Sequence, residues 1–278
     1  MPDITITDPC VLFALRREAL SFRREFRPHT RFRGAPCRAW FCGPPWLTVL
    51  VAETGVGAAA AERALTWLLN RPLYGNVPYR PKLVLSAGFS GALRPGLRVG
   101  DLVLATEVAD AAGNVWKTTW PGDLPAGDWR PPLQRGRLLT TPDLVGNPEQ
   151  KRLLGARHDA LAVDMETAAV ARLCGLHEVP FGCLRAFSDE CSTPLSPQLV
   201  DVLSAGRVSP WRVLRAAAVR PRLLAEFWRL AADTRTAARQ LGRGLGEVLT
   251  LTLPWMAEEG EGPSGEQRGL SPSSDPPA

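Results

Sequence analysis

The feature that most constrains this chain is its rhythm between Cys10 and Glu190. Short apolar runs alternate there with segments of helical spacing, the pattern of a sheet whose crossovers are helices. "CVLFAL" predicts a first strand, followed by a short helix through Glu18 and Phe22. "RAWFCG" and "WLTVLVAE" predict a hairpin turning at "GPP". "TGVGAAAAERALTWLLN" predicts a glycine turn opening an alanine-rich helix, and "KLVLSAG" and "GDLVLATEV" predict buried strands joined by a glycine-rich loop, "GFSGALRPGLRV". Further strands are expected at "GRLLTT", "ALAV" and "PFGCLRAFS", and helices at "NPEQKRLLG" and "DMETAAVARLCGL". The stretch from Asp110 to Pro132, rich in Pro and Gly and carrying Trp116, Trp120 and Trp129, reads as a long surface loop.

After "STPLSP" the rhythm becomes purely helical. Leu224, Phe227, Ala231, Thr234, Ala238, Leu241, Leu245 and Val248 draw one apolar stripe at alternating spacings of three and four. Nine arginines lie between Arg207 and Arg243 against Glu226 and Asp233, so this segment alone has seven more positive than negative charges where the whole chain has five. Packing of the stripe on the core or on a second subunit is one expectation. The other is a peripheral seat on an anionic membrane surface through 210–251, where basic residues and interfacial aromatics such as Trp211 and Trp228 both help. No nucleic-acid-binding module accompanies the charge, so nucleic acid is not an expected partner. From Met256 the Gly-, Pro-, Ser- and Glu-rich tail reads as disordered. The expected division is therefore 1–194 as the catalytic domain, 195–255 as an Arg-rich helical extension and 256–278 as a tail.

Several classes are disfavoured. No run of about 18 apolar residues is present to span a bilayer, and the N-terminus lacks the ordered basic, apolar and small-residue zones of a signal peptide, so a cytoplasmic location is the default expectation. Six cysteines without a CxxC pair and three scattered histidines show no zinc or haem spacing, and neither a metal nor another cofactor is expected.

The chemistry-bearing candidates lie at element boundaries. "TGVG" and "SAGFSGAL" are glycine-rich turns where backbone N–H groups can meet a phosphate or a sugar, or can simply satisfy tight turns. Asp164 and Glu166 stand at a strand-to-helix junction. Helix capping accounts well for Asp164 and less well for Glu166, which follows Met165 and precedes small residues. Arg185, Ser188 and Asp189 end a strand, where ligands of open α/β sheets gather, although Ser188 and Asp189 also suit a cap.

"TGVG", "SAGFSGALRPGLRVGDLVL", "AVDMETAAVA" and "VPFGCLRAFSDE", in this order, resemble the nucleoside phosphorylase and nucleosidase superfamily that includes methylthioadenosine/S-adenosylhomocysteine nucleosidase, over about residues 9 to 193. The Arg-rich extension is similar to the tail of hopanoid-associated phosphorylases, which implies adenosylhopane as the favoured substrate. The resemblance implies a three-layer α/β/α fold around a mixed, twisted sheet, a homodimer or higher oligomer, and release of adenine from an adenosyl compound. It implies that Asp189 protonates purine N7, that Glu166 holds the ribose hydroxyls beside Met165, and that Glu18 activates water. Arg185 and Ser188 would position the aspartate, while Gly88, Phe89 and Val145 would contact substrate. Phe89 stands where nucleosidases commonly carry a small polar residue, and Leu144 where they carry an aromatic that stacks on the base. Phosphate as co-substrate stays open, with Arg16, Arg17 or Arg94 as its binding candidates. So do a soluble nucleosidase acting on methylthioadenosine or adenosylhomocysteine, a purine nucleoside phosphorylase, and a non-catalytic nucleoside-binding protein.

Overall fold

The computed structural model describes residues 8–32, 35–44, 47–70, 79–120, 129–196 and 221–258. In chain order these form β1 (Cys10–Phe13), α1 (Arg16–Glu25), β2 (Pro28–Phe32), β3 (Arg38–Cys42), β4 (Val49–Glu53), α2 (Ala58–Asn70), β5 (Val84–Ala92), β6 (Leu102–Asp110), β7 (Val115–Lys117), β8 (Leu133–Thr140), α3 (Pro148–His158), β9 (Ala160–Asp164), α4 (Thr167–Leu176), β10 (Phe181–Asp189) and α5 (Pro221–Glu258). All the strands join one mixed sheet in the order β2-β3-β4-β1-β5-β9-β8-β6-β10, with β7 hairpinned onto β6. β10 also pairs with β5, in parallel. That extra pairing closes β5, β9, β8, β6 and β10 into a ring, leaving β1, β4, β3 and β2 as an open wing.

The layers follow from side-chain parity. In β1, Cys10 and Leu12 join the core beneath α2 and α4, while Val11 and Phe13 join the core beneath α1 and α5. β10 divides likewise, with Phe181, Cys183 and Phe187 on the first side and Leu184 and Ala186 on the second. Both faces are covered, so these strands read as continuous apolar runs and not as alternating ones. In α2, Ala61, Ala64, Leu65, Leu68 and Leu69 form a buried stripe at helical spacing. In α3, Asn147 caps the helix by accepting the N–H groups of Glu149 (2.8 Å) and Gln150 (3.2 Å), ahead of Pro148 at the first helical position. The result is the expected three-layer arrangement around a mixed sheet, with a C-terminal helix.

Four local expectations are corrected. β5 continues through Ala92, so "GFSGA" is strand and not loop. The segment after Asp110 is a hairpin: the Asp110 carboxylate accepts the N–H groups of Ala112 and Asn114, each at 2.9 Å, and Gly113 takes φ +93°. Trp116 and Trp129 pack on the core, and the Trp120 indole donates to the Ala105 carbonyl at 2.8 Å; residues 121–128 lie outside the described residues. β2, a polar edge strand paired with β3, has no apolar run to announce it. Helix α5 runs past Met256 to Glu258, and the remaining tail lies outside the described residues.

Helix α5 packs into the same core as the sheet. Ala237, Ala238, Leu241, Leu245, Val248 and Leu249 are buried, and all but Ala238 belong to the core cluster that holds Phe13 and Phe22. Gly242 permits the close crossing of α1, since a methyl there would lie 2.9 Å from Ser21 Cβ and 3.0 Å from Phe22 N. Each fully buried Leu or Val contributes roughly 1.5–3 kcal/mol, so the stripe from Ala238 to Val248 holds the helix to the body. The side chains of Leu224 and Phe227, and residues 197–220, lie outside the described residues. Among the described residues no helix is long and apolar enough to cross a membrane.

Candidate active site

The strands β1 and β10 run parallel to β5 on either side of it and deliver acids to one rim. Beyond β1, the first turn of α1 carries Glu18. Its Oε2 accepts the Leu15 N–H at 2.7 Å and its Oε1 accepts the Phe89 N–H at 2.8 Å. The first bond is a helix cap; the second reaches across to β5 and holds the carboxylate 3% exposed at the pocket wall. Burial pushes the Glu18 carboxyl up to about 7, against the pull of Arg185 and the two N–H groups.

Glu166, at the N-cap of α4, accepts the Gly57 N–H at 2.7 Å and the Met165 N–H at 3.3 Å. Gly57 sits at φ +90°, a backbone state that favours glycine, so the "TGVG" turn presents its amide to Glu166. Burial, then the neighbouring Asp164, raises the Glu166 carboxyl above its ordinary range, with Arg185 opposing.

Asp189 ends β10 just after an irregularity in the pairing with β5, which leaves it opposite Gly91. Its Oδ1 accepts the Ser188 hydroxyl at 2.8 Å, and its Oδ2 contacts the Lys151 ammonium. Arg185 lies opposite Gly88 in the same ladder. These two glycines explain "SAGFSGAL": a Cβ at Gly88 would fall 2.2 Å from Arg185 Nη1 and 2.7 Å from Glu18 Oε1, and one at Gly91 would fall 3.2 Å from Asp189 Oδ2. The missing side chains make room for functional groups across the ladder.

Seven of the nine sequence-predicted site residues line one pocket: Glu18, Phe89, Val145, Met165, Glu166, Ser188 and Asp189. Gly88 and Arg185 stand behind its wall. Arg185, 1% exposed, donates from Nη2 to Asp164 (2.6 Å), Thr167 Oγ1 (2.6 Å) and Ser86 Oγ (2.8 Å), so it anchors Asp164 while Ser188 holds Asp189. Asp164 is also the cap expected of it, accepting the Thr167 N–H at 3.2 Å. Of the phosphate candidates, Arg94 pairs with the exposed Asp159, and neither Arg16 nor Arg17 lines the pocket.

The pocket has contributors that the sequence did not single out. Lys151 is fully buried behind Asp189. Ser90, 3% exposed, belongs to the lining, and its buried hydroxyl has no hydrogen-bond partner among the described residues. Leu195, whose N–H donates to the Gly146 carbonyl at 3.0 Å, and Leu230 and Thr234 of α5 complete the lining. Lys151 carries no motif, and Ser90 stands in a glycine-rich stretch whose sequence predicts a loop. Leu230 and Thr234 reach the site only through the docking of α5.

Such a pocket can hold a polyol between carboxylates, protonate one end of a bound molecule and deprotonate water at the other. The phosphorylase superfamily model matches residues 46–128 and 114–208. The chain is 31% identical to the 5'-methylthioadenosine/S-adenosylhomocysteine nucleosidase of Tolumonas auensis, over 52% of this chain and 70% of that protein. To the nucleosidase of the same name from Bacillus thuringiensis it is 28% identical, over 51% and 68%. In fold it is similar to the Helicobacter pylori nucleosidase (TM-score 0.65, 18% identity, covering 89% of this chain and 99% of that one). The futalosine hydrolase of the same organism is similar to the same degree (TM-score 0.65, 17% identity, 88% and 98%).

Proposed function

The chain belongs to the phosphorylase superfamily, and on that premise we propose that it is a nucleosidase that hydrolyses the N-glycosidic bond of an adenosyl compound and releases adenine. The observation that carries this reading is the convergence of Glu18, Glu166 and Asp189 on one pocket. Breaking the bond builds positive charge on the ribose ring and negative charge on the base. Glu166 holds the ribose hydroxyls, Asp189 passes a proton to purine N7, and Glu18 takes a proton from the attacking water. Water is favoured over phosphate as nucleophile because the pocket is lined by Glu18, Asp143, Asp164, Glu166 and Asp189 and, among the described residues, by no Lys, Arg or His.

The Glu18 assignment carries a pH dependence. A base works ionised, so kcat/KM should fall as pH drops below about 7, the value to which burial pushes this carboxyl. Stability runs the opposite way. The folded state holds the Glu18 proton more tightly than the unfolded chain does, so the protein loses stability as pH rises from the ordinary carboxylate range through about 7. Glu18→Gln should therefore abolish most turnover, and its stability should no longer fall as pH rises through about 7. A variant whose stability still falls over that range as wild type does would rule out the buried Glu18 carboxylate as the cause.

We propose adenosylhopane as the preferred substrate. The support is the resemblance of the Arg-rich extension and the position of Thr234, which lines both the pocket and a neighbouring groove between α1 and α5. That groove combines Leu20 with Arg17, Arg24, Arg235 and Arg239, and Trp228 on the same helix α5 is 68% exposed, a composition suited to an anionic lipid surface. Adenine release from adenosylhopane and from methylthioadenosine, each with and without phosphate, tests the reading. Faster release from methylthioadenosine would remove the lipid substrate, and phosphate-dependent release would remove hydrolysis. Co-sedimentation with phosphatidylglycerol vesicles should weaken when Arg17, Arg24, Arg235 and Arg239 become Gln, and should persist when Arg152 and Arg157 do. Equal binding by both variants would sink the membrane seat.

A further inference from the structure

Helix α3 is polar, yet it turns Lys151 inward to zero exposure. The ammonium has three N–H donors and meets three acceptors: Asp189 Oδ2, the Glu190 carbonyl at 3.0 Å and the Thr193 carbonyl at 3.4 Å. Burying a charge costs several kcal/mol per ion even when it is paired, and an apolar side chain would fill the same space without that cost. Fastening the turn after β10 would explain a donor to the two carbonyls. It does not explain a charge placed on the one carboxylate that faces the leaving base.

Asp189 receives a hydrogen bond on each oxygen, from Ser188 and from Lys151. Purine N7 needs a donor from that same carboxyl. We propose, on the nucleosidase reading above, that the leaving-group acid is the Lys151–Asp189 pair, with Lys151 as a buried proton store that acts through the aspartate. As the C–N bond breaks, its electron pair goes to the base, the Lys151 ammonium gives a proton to the ionised Asp189, and Asp189 in the same step gives one to N7. The ammonium becomes an amine and the aspartate ends the step as it began. Water adds to the ribose carbon and loses its proton to Glu18. Once adenine has left, the amine regains a proton through Asp189, the member of the pair that reaches the pocket. Lys151 is thus a positioning and proton-supplying residue that does not touch substrate.

Lys151→Arg separates charge from proton, because arginine can pair with the carboxylate but does not give up its proton in a protein. Lys151→Arg and Lys151→Met should each lower kcat for adenine release by about a hundredfold or more, with KM within about threefold and a changed pH profile of kcat. The same variants should hydrolyse 4-nitrophenyl riboside, whose leaving group needs no N7 proton, at near wild-type rates. Adding Lys151→Met to Asp189→Asn should cost no further rate. Wild-type enzyme supplies a check that depends on no variant: the solvent deuterium isotope effect on kcat should be larger for adenine release than for nitrophenolate release. Wild-type kcat in Lys151→Arg with an unshifted pH profile would overturn the proposal while leaving the nucleosidase reading intact, whereas equal isotope effects for the two leaving groups would overturn it together with proton transfer from Asp189 to N7. Absence of adenine release by the wild-type protein would overturn that reading, and the proposal with it.

Discussion

Asp189→Asn is expected to lower adenine release by about 10²–10⁴-fold, the range a positioned general acid supplies. The amide keeps the size of the carboxyl and can still accept from Ser188, so substrate binding should change little and the loss should fall on kcat. The fold does not escape untouched. Lys151 is fully buried, and removing its charged partner leaves an ammonium facing only the carbonyls of Glu190 and Thr193. Breaking a buried pair in this way costs about 3–5 kcal/mol, against a total stability of about 5–15 kcal/mol for a typical domain. Asp189→Asn should therefore stay folded at 25 °C but melt well below wild type, and the rate must be read on protein shown to be folded by circular dichroism. Near-wild-type turnover by the folded variant would remove Asp189 from the chemistry.

The acids of the site were legible in the sequence only in part. Periodicity revealed most strands, and the family-like motifs brought Glu18, Glu166 and Asp189 forward. What lay behind those acids was not visible. Gly88 and Gly91 look like turn residues because glycine is the usual punctuation of a chain, yet both sit in a strand, where their missing side chains leave space for Glu18, Arg185 and Asp189. Their role depends on the β5–β10 register, a contact between segments about a hundred residues apart. Lys151 stands in a helix whose few apolar residues draw no stripe, so no spacing rule separates it from a solvated lysine. The apolar stripe of α5 was readable, but its partner was not: one stripe suits a membrane, a second subunit or the protein's own core, and only the glycine-mediated crossing with α1 selects the last.

Arg185→Met is expected to cost as much stability as any single change at the site. Arg185 is the cation shared by the buried acids: it pairs with Asp164 at 2.6 Å, and its charge holds down the carboxyls of Glu18 and Glu166, which burial pushes up. Methionine fills much of the space and packs well, so the loss measures charge more than cavity. Asp164 would be left buried with only the hydroxyls of Thr140 and Thr167 and a backbone N–H, a loss of about 3–5 kcal/mol. Arg185→Lys should lose less, because a single ammonium can still meet Asp164 but cannot reproduce the guanidinium's contacts with Ser86 and Thr167. Activity carries a second signature. Without the opposing charge the Glu18 carboxyl rises above about 7, so the acid limb of kcat/KM should move to higher pH in both variants, further in Met than in Lys. A limb that stays in place while stability falls would mean that Arg185 only braces Asp164 and that Glu18 is not the base read in the pH profile.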